Sequence, residues 1–423
     1  MKYLFVACLL CLSVLSAVAK VPAMNKIRLT NNWEYLKGDL GGIWEAVRPA
    51  APGSSEAVPI WQPVTLPHCF NAEDAVDPDV NYYEGPGWYK TLLAIDNPYR
   101  NGRIVLDFDG AGQKTDVYVY TTHVGSHVGG YDSWNVDITD AVKAFLGSKD
   151  AERFKGKVPL SIRCDNSRDL EMIPSDLADF NIYGGLYRYL NLVYLPEVSF
   201  EQIHLESSLS SNLKEGILKV KTSFYNPEDI RKADVTVSVY DVDRKPVFSK
   251  TLEGILPLGD QLLAKMKIKN PVLWDVDVPQ LYTCELTVKT PDQTFTTEER
   301  FGFRHTEFKD KGPFFLNGKR LLLRGTHRHE DHAGVAQAMT EDMMRREMRM
   351  MKDMGVNFIR LGHYQQSEII LDLCDELGIL VWEEIPWCRG GLGGDVYKKQ
   401  ARRMLANMIV QHHNHPAVII WGL

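Results

Sequence analysis

Three short runs late in the chain carry residue types able to act on one ligand together. Arg324–His332 reads RGTHRHEDH, Arg360–Tyr364 reads RLGHY, and Val381–Pro386 reads VWEEIP. Each follows strand-like sequence and delivers a cation, an imidazole or a carboxylate. His327 and His329 stand two apart, so on an extended segment both face the same side, a spacing that could hold a metal ion. Either could equally be a hydrogen-bonded structural histidine. Glu330 reads as a helix-start carboxylate or as an acceptor for a ligand hydroxyl. Arg360 and Glu384 could serve a ligand or simply neutralise each other, and His363 beside Tyr364 could contact a ligand or only pack. Trp382, Trp387 and Trp421 are large faces on which a ring, a pyranose included, could stack.

The elements that must position these residues form a βα alternation. Arg320–Arg324, Asn357–Leu361, Ile379–Trp382 and Ala417–Trp421 read as strands, interleaved with helices that begin near Thr340, Ser367 and Asp395. Thr340 is a suitable N-cap, and Gly355 and Gly378 are suitable stops. Such alternation predicts a parallel sheet, whose ligands gather beyond the carboxyl ends of the strands. The methionines of Met343–Met354 read as the core face of a helix. Gly390, Gly391, Gly393 and Gly394 make a loop but no phosphate cradle, because no Gly-Lys-Ser/Thr follows.

Ahead of about Phe303 the pattern is different. Short runs rich in Val, Ile, Tyr, Phe and Thr alternate with Asn, Asp, Gly and Pro, as in Arg103–Phe108, Asp116–Thr121, Val158–Arg163 and Tyr187–Leu195, which predicts β-sandwiches. A second break near Pro196 is followed by Gly216–Tyr225, Ala233–Val242, Gln261–Ile268 and Tyr282–Lys289, enough for one immunoglobulin-sized sandwich. The divisions expected are 1–19, 20–197, 198–302 and 303–423.

Residues 1–19 read as a secretory leader: Lys2, an apolar run from Tyr3 to Leu15, and Ala17-Val18-Ala19 as a cleavage site. A secreted or periplasmic mature protein is expected, with no membrane span, since no run approaches ~20 apolar residues. Lys+Arg is 48 and Asp+Glu is 55, so 48 − 55 = −7, and no overall basic field draws a nucleic acid. Cys69, Cys164, Cys284, Cys374 and Cys388 are far apart and lack a CxxC pair, which argues against a disulfide scaffold or a zinc finger.

The order of domains and a series of motifs resemble glycoside hydrolase family 2, the β-galactosidases, β-glucuronidases and β-mannosidases. The motifs include Leu66-Pro67-His68, Tyr83-Glu84-Gly85, Gly87-Trp88-Tyr89, Tyr183-Gly184-Gly185-Leu186-Tyr187-Arg188, Leu273-Trp274, Phe315-Leu316-Asn317-Gly318, His329-Glu330-Asp331, His363-Tyr364 and Asn414-His415-Pro416. The resemblance implies an N-terminal jelly-roll-like sugar-binding sandwich, an immunoglobulin-like sandwich and the first half of a (β/α)8 TIM barrel.

It further implies retaining hydrolysis of a terminal β-linked sugar, which needs two carboxyl groups about 5–5.5 Å apart. In the family pattern both stand beyond the position of Leu423, so a chain cut within the barrel and inactive by itself is expected. The resemblance carries Asp179, His329, Glu330, Arg360, His363, Glu384 and Trp421 over as substrate-binding residues; Asp179 could also be a turn aspartate. No cofactor is required, although Mg²⁺ or Na⁺ is compatible, as is a homo-oligomer. A β-galactosidase is the expectation because it is the commonest member, with a glucuronidase or mannosidase as the alternative. From other classes, a metal-dependent hydrolase using His327 and His329 and a non-catalytic glycan-binding protein stay open.

Overall fold

The computed structural model describes residues 26–49, 59–175, 177–227, 232–387, 389 and 393–423. The leader expected at 1–19 therefore lies outside the described residues, as do Cys388, Gly390 and Gly391.

Period-two burial builds the first sandwich. Lys114–Val119 alternates half-buried and buried residues along its length, so one face must be covered. Its sheet runs in the order Gln62–Val64, Trp33–Lys37, Pro86–Leu93, Val158–Asp165, Lys114–Val119 and Thr122–Val128. Against it lies a sheet of Ile27–Arg28, Leu190–Leu195, Arg103–Phe108 and Trp134–Asp137. Trp33, Tyr89, Leu106, Phe108, Leu160 and Ile162 fill the space between them. A helix at Thr139–Leu146, absent from the strand-only reading, closes one end by burying Val142 and Phe145.

The second sandwich obeys the same rule. Glu215–Tyr225 alternates over eleven residues and pairs antiparallel with Ser199–Leu209 and Gly259–Lys269. The facing sheet is Pro246–Ile255, Ala233–Tyr240, Tyr282–Lys289 and Thr294–Phe301. Val220, Val237, Leu286 and Phe301 are buried between the two. Cys69, Cys164, Cys284 and Cys374 are free and buried, small apolar residues in effect.

The last part is a parallel sheet with helical cover. Its strands are β1 (Gly325–Arg328), β2 (Phe358–Leu361), β3 (Leu380–Glu384) and β4 (Val418–Gly422), paired in chain order. Its helices are α1 (Glu341–Asp353), α2 (Glu368–Leu377) and α3 (Asp395–His412). Four successive parallel strands joined by helices are one half of what an eight-stranded βα barrel contains.

Local chemistry sets the boundaries. Thr340 caps α1 by accepting from the Met343 amide at 3.4 Å, and Ser367 caps α2 by accepting from Ile369. Gly378 ends α2 at φ +67°, where a Cβ would stand 2.4 Å from the Val276 carbonyl oxygen.

Two expectations are corrected. The first strand is Gly325–Arg328 and not Arg320–Arg324, because Lys319–Arg320 pairs back on Phe314–Leu316 as a hairpin and Leu321 donates to Phe314. His327 thus lies inside a barrel strand. The methionine-rich helix is only partly a core face: Met344 and Met348 are buried, whereas Met350 and Met354 are exposed. Twelve residues at 3.6 per turn circle the helix, so Met344 and Met348 face inward, Met343 and Met351 pack half-buried against the same core, and the other two lie outside it.

Candidate functional site

Pairing of parallel strands in register brings the three sequence runs to one rim. His327 is opposite Arg360 on β2, and Arg360 is opposite Trp382 on β3. Across that row the Arg360 guanidinium lies 5.0 Å from the centre of the Trp382 ring.

Glu384 is the hub. Its Oε1 accepts from Arg360 Nη2 at 2.7 Å and its Oε2 from Arg360 Nε at 3.1 Å, the fork geometry that holds a guanidinium in one plane. Oε1 also lies 3.1 Å from His363 Nδ1. The carboxylate is buried while Arg360 is one third exposed, so the pair offers its cationic end outward. His327 and His329 have their imidazole pKa values depressed. Burial is the largest cause for both, followed by their imidazole neighbours and, at His327, by Arg360 as well. They are therefore neutral at neutral pH and can accept or donate hydrogen bonds.

The first sandwich reaches over this rim. Phe180 stacks on His363, 6.0 Å between ring centres at an interplanar angle of 20°, and stands 5.8 Å from His329 and 5.3 Å from Tyr364. Next to it, Asp179 Oδ2 is 3.1 Å from Arg389 Nη1, on the loop after β3. The Asp179-Phe180-Asn181 stretch thus roofs the strand ends.

Glu330 occupies a different place from the other site residues. It is fully buried; Oε1 accepts from Arg188 Nε and Oε2 from the Ser367 amide, both at 2.8 Å. Of its two readings, the geometry matches the helix-start carboxylate, here at the start of α2. Trp421 is half-buried, packed at its edges against the barrel core and the α3 cluster, and Trp387 is 44% exposed. Of the remaining acids nearby, Glu383 is bound to His412 Nδ1 at 2.8 Å.

Several residues that shape the site went unread in the sequence. Arg188 donates to Glu330, to the Tyr131 carbonyl at 2.7 Å and to the Gln365 carbonyl at 2.7 Å. Tyr131 stacks on Tyr364 with centres 4.2 Å apart. Arg188 is signalled only by the run Tyr183–Arg188, quoted above for its pattern and not for its contacts, and Tyr131 only by the similarly family-like run Gly129-Gly130-Tyr131. Among the described residues, two side-chain groups are compact enough to hold a cation: His327, His329 and His363, and Asp372, Asp375 and His415. Neither is the all-oxygen cage that suits Mg²⁺.

A two-sandwich chain leading into a βα sheet, with arginine, imidazole, carboxylate and aromatic groups meeting at the strand ends, has the arrangement of a βα-barrel protein with its polar groups gathered on one rim. Sequence models of three domains agree on its kinship: "Glycosyl hydrolases family 2, sugar binding domain" matches residues 40–196, "Glycosyl hydrolases family 2" matches 198–304, and "Glycosyl hydrolases family 2, TIM barrel domain" matches 307–423. The chain belongs to family 2 of the glycosyl hydrolases.

Among solved structures it is similar to the Parabacteroides merdae β-glucuronidase, at 99% identity and a TM-score of 0.94, over 96% of this chain and 52% of that one. Among curated relatives, a Bacteroides fragilis β-glucuronidase is 32% identical over 85% of this chain and 52% of its own length. A Thermoanaerobacterium thermosulfurigenes β-galactosidase is 30% identical over 94% of this chain and 53% of its own. The chain spans about half the length of the relatives it matches. Among the described residues no helix is long and apolar enough to cross a membrane.

Proposed function

We propose that the protein is a retaining exo-β-glycosidase whose described residues build the sugar pocket, and that the sugar is a β-linked glucuronic acid. The observation that carries the choice of sugar is the 99% identity, along 96% of the chain, to the P. merdae β-glucuronidase. It moves the galactoside expected above to second place, kept there by the β-galactosidase among the relatives.

The geometry supports a pocket role. Arg360, held flat by Glu384, presents a donor to ring hydroxyls, and His363, whose Nδ1 faces the same carboxylate, presents its other ring nitrogen. His329 adds a neutral imidazole, and Phe180 supplies an apolar face. Asp179, paired with Arg389 in the roofing loop, is proposed to exchange that partner for a sugar hydroxyl. Glu330 supports from beneath. No two of Glu330, Glu383 and Glu384 form a free acid–nucleophile pair, since each is engaged by protein groups.

The test is hydrolysis of aryl β-glycosides by the complete protein. An aryl β-D-glucuronide should be cleaved at least tenfold faster in kcat/KM than the β-galactoside, with the anomeric configuration retained by NMR. Inversion, or a preference for the galactoside, would overturn the assignment. Binding by calorimetry with no turnover of either would favour the glycan-binding alternative.

A further inference from the structure

Three imidazoles converge on the rim, whereas the proposed sugar pocket uses only two. His327 lies on β1 and is solvent-exposed. His329 follows two residues on, pointing to the same side, and His363 comes from the end of β2, the strand beside it. Ring centres are 5.0 Å apart for His327 and His329, 4.9 Å for His327 and His363, and 5.4 Å for His329 and His363. One ring nitrogen from each lies within 4.8 Å of the other two.

That triangle has the dimensions of a metal site. Three imidazoles bound to one tetrahedral ion at about 2.0–2.1 Å place their ring centres roughly 5 Å apart. Closing the nitrogens to bonding distance needs only small ring rotations, for which the exposed His327 has room. A second feature points the same way: Glu384 engages His363 Nδ1 at 3.1 Å, the carboxylate–imidazole arrangement that fixes a ligand ring and leaves its other nitrogen facing out. Arg360 would repel a cation, but its charge is met by the same carboxylate at 2.7 Å.

We propose that His327, His329 and His363 form a chelating site for a borderline first-row divalent ion, Zn²⁺ being the best fit, with one coordination position left to solvent. Three neutral nitrogens suit Zn²⁺, Co²⁺, Ni²⁺ or Cu²⁺ and do not suit the hard ions Mg²⁺ and Ca²⁺. The ion would take His329 and His363 from the sugar, so it would inhibit competitively. That last clause rests on the proposed function; ion binding does not.

The experiment is titration of Co²⁺ into the purified metal-free protein, followed by the visible absorption of a four- or five-coordinate ion, with Zn²⁺ displacement. One ion per chain is expected, with affinity at least tenfold weaker in His327→Ala and unchanged in Asp372→Asn, which alters the other cluster. Circular dichroism and thermal unfolding of His327→Ala should match the parent, because the side chain is exposed. Unaltered Co²⁺ binding in His327→Ala, or loss of binding only in Asp372→Asn, would overturn the site. Zn²⁺ should raise KM for an aryl β-glucuronide without lowering kcat, and His327→Ala should relieve this. Tight Co²⁺ binding through His327 without inhibition would leave the metal site standing and count against the sugar pocket.

Discussion

Arg188 of the first sandwich donates from Nε to Glu330 at the end of β1 over 2.8 Å, with both side chains sealed from solvent. Glu330 in turn accepts from the Ser367 amide at the start of α2. One guanidinium from a separate domain therefore sets both the strand end that carries His329 and the helix that follows Tyr364.

Removing that cation strands a buried carboxylate. Arg188→Met should lower stability by about 3–5 kcal/mol. Arg188→Lys should recover less than half, since one ammonium cannot reach Glu330, the Tyr131 carbonyl and the Gln365 carbonyl at once. Urea midpoints followed by tryptophan fluorescence give the comparison; a lysine variant as stable as the parent would refute the three-way role.

Glu384 orients two pocket residues without being free itself. Glu384→Gln keeps the shape but loses the fork to Arg360 and the anchor for His363. A misplaced positioning group costs on the order of 10²-fold, and kcat/KM toward an aryl β-glucuronide should fall by about that much. Circular dichroism should be unchanged. An activity within twofold of the parent would show that Arg360 and His363 hold their places without it.

Phe180 contributes a face and no polar atom. Stacked aromatic pairs are worth about 0.5–1.5 kcal/mol, so Phe180→Ala should raise KM roughly three- to tenfold while kcat changes little. Phe180→Tyr or Phe180→Trp should restore most of it. If kcat and not KM responds, the ring acts on the reacting centre and not on ground-state binding.

pH should act on the buried pair His415 and Asp375, 2.7 Å apart. Burial opposes charge on His415, but the Asp375 carboxylate outweighs it, with Asp372 and Glu368 adding to the same sign, and the imidazole is raised to about 9. A histidine raised above its unfolded value of about 6.5 stabilises fully below that pH and loses the contribution as pH climbs through 9. The loss should be on the order of 3 kcal/mol. His415→Asn should flatten this alkaline limb in denaturation midpoints taken at pH 6, 7.5 and 9. His68 and His413, each held at about 4 chiefly by burial, act in the opposite sense. They remove stability as pH falls from about 6.5 toward 4, a limb that His415→Asn should leave in place.

The elements and their order were legible in the sequence because periodicity is local. Tyr282–Lys289 matches its expected span residue for residue, and β2, β3, β4 and their helices fall within about two residues of theirs. The first barrel strand was misplaced because Leu321, Leu322 and Leu323 look as strand-like as Gly325–Arg328. Only the hairpin partner Phe314–Leu316 decides between them. The convergence of His329, Arg360, His363 and Glu384 could be anticipated from parallel topology alone, which puts strand ends on one rim.

What the chain's own order of residues determined, then, is the set of strands and helices and the identity of the rim groups, since both follow from side-chain period and strand direction. What only the packed molecule decided is which of those groups is spent inside. Glu330 and Glu384 are both buried acids at strand ends, but Arg188 arrives from 142 residues away to seal in the first, while the second lies beside its own strand neighbour, Arg360, which is one third exposed. Likewise Phe180 becomes a roof and His327 a third imidazole only through contacts between segments far apart in the chain. Burial and partner geometry are properties of the assembled interior, and no local pattern encodes them.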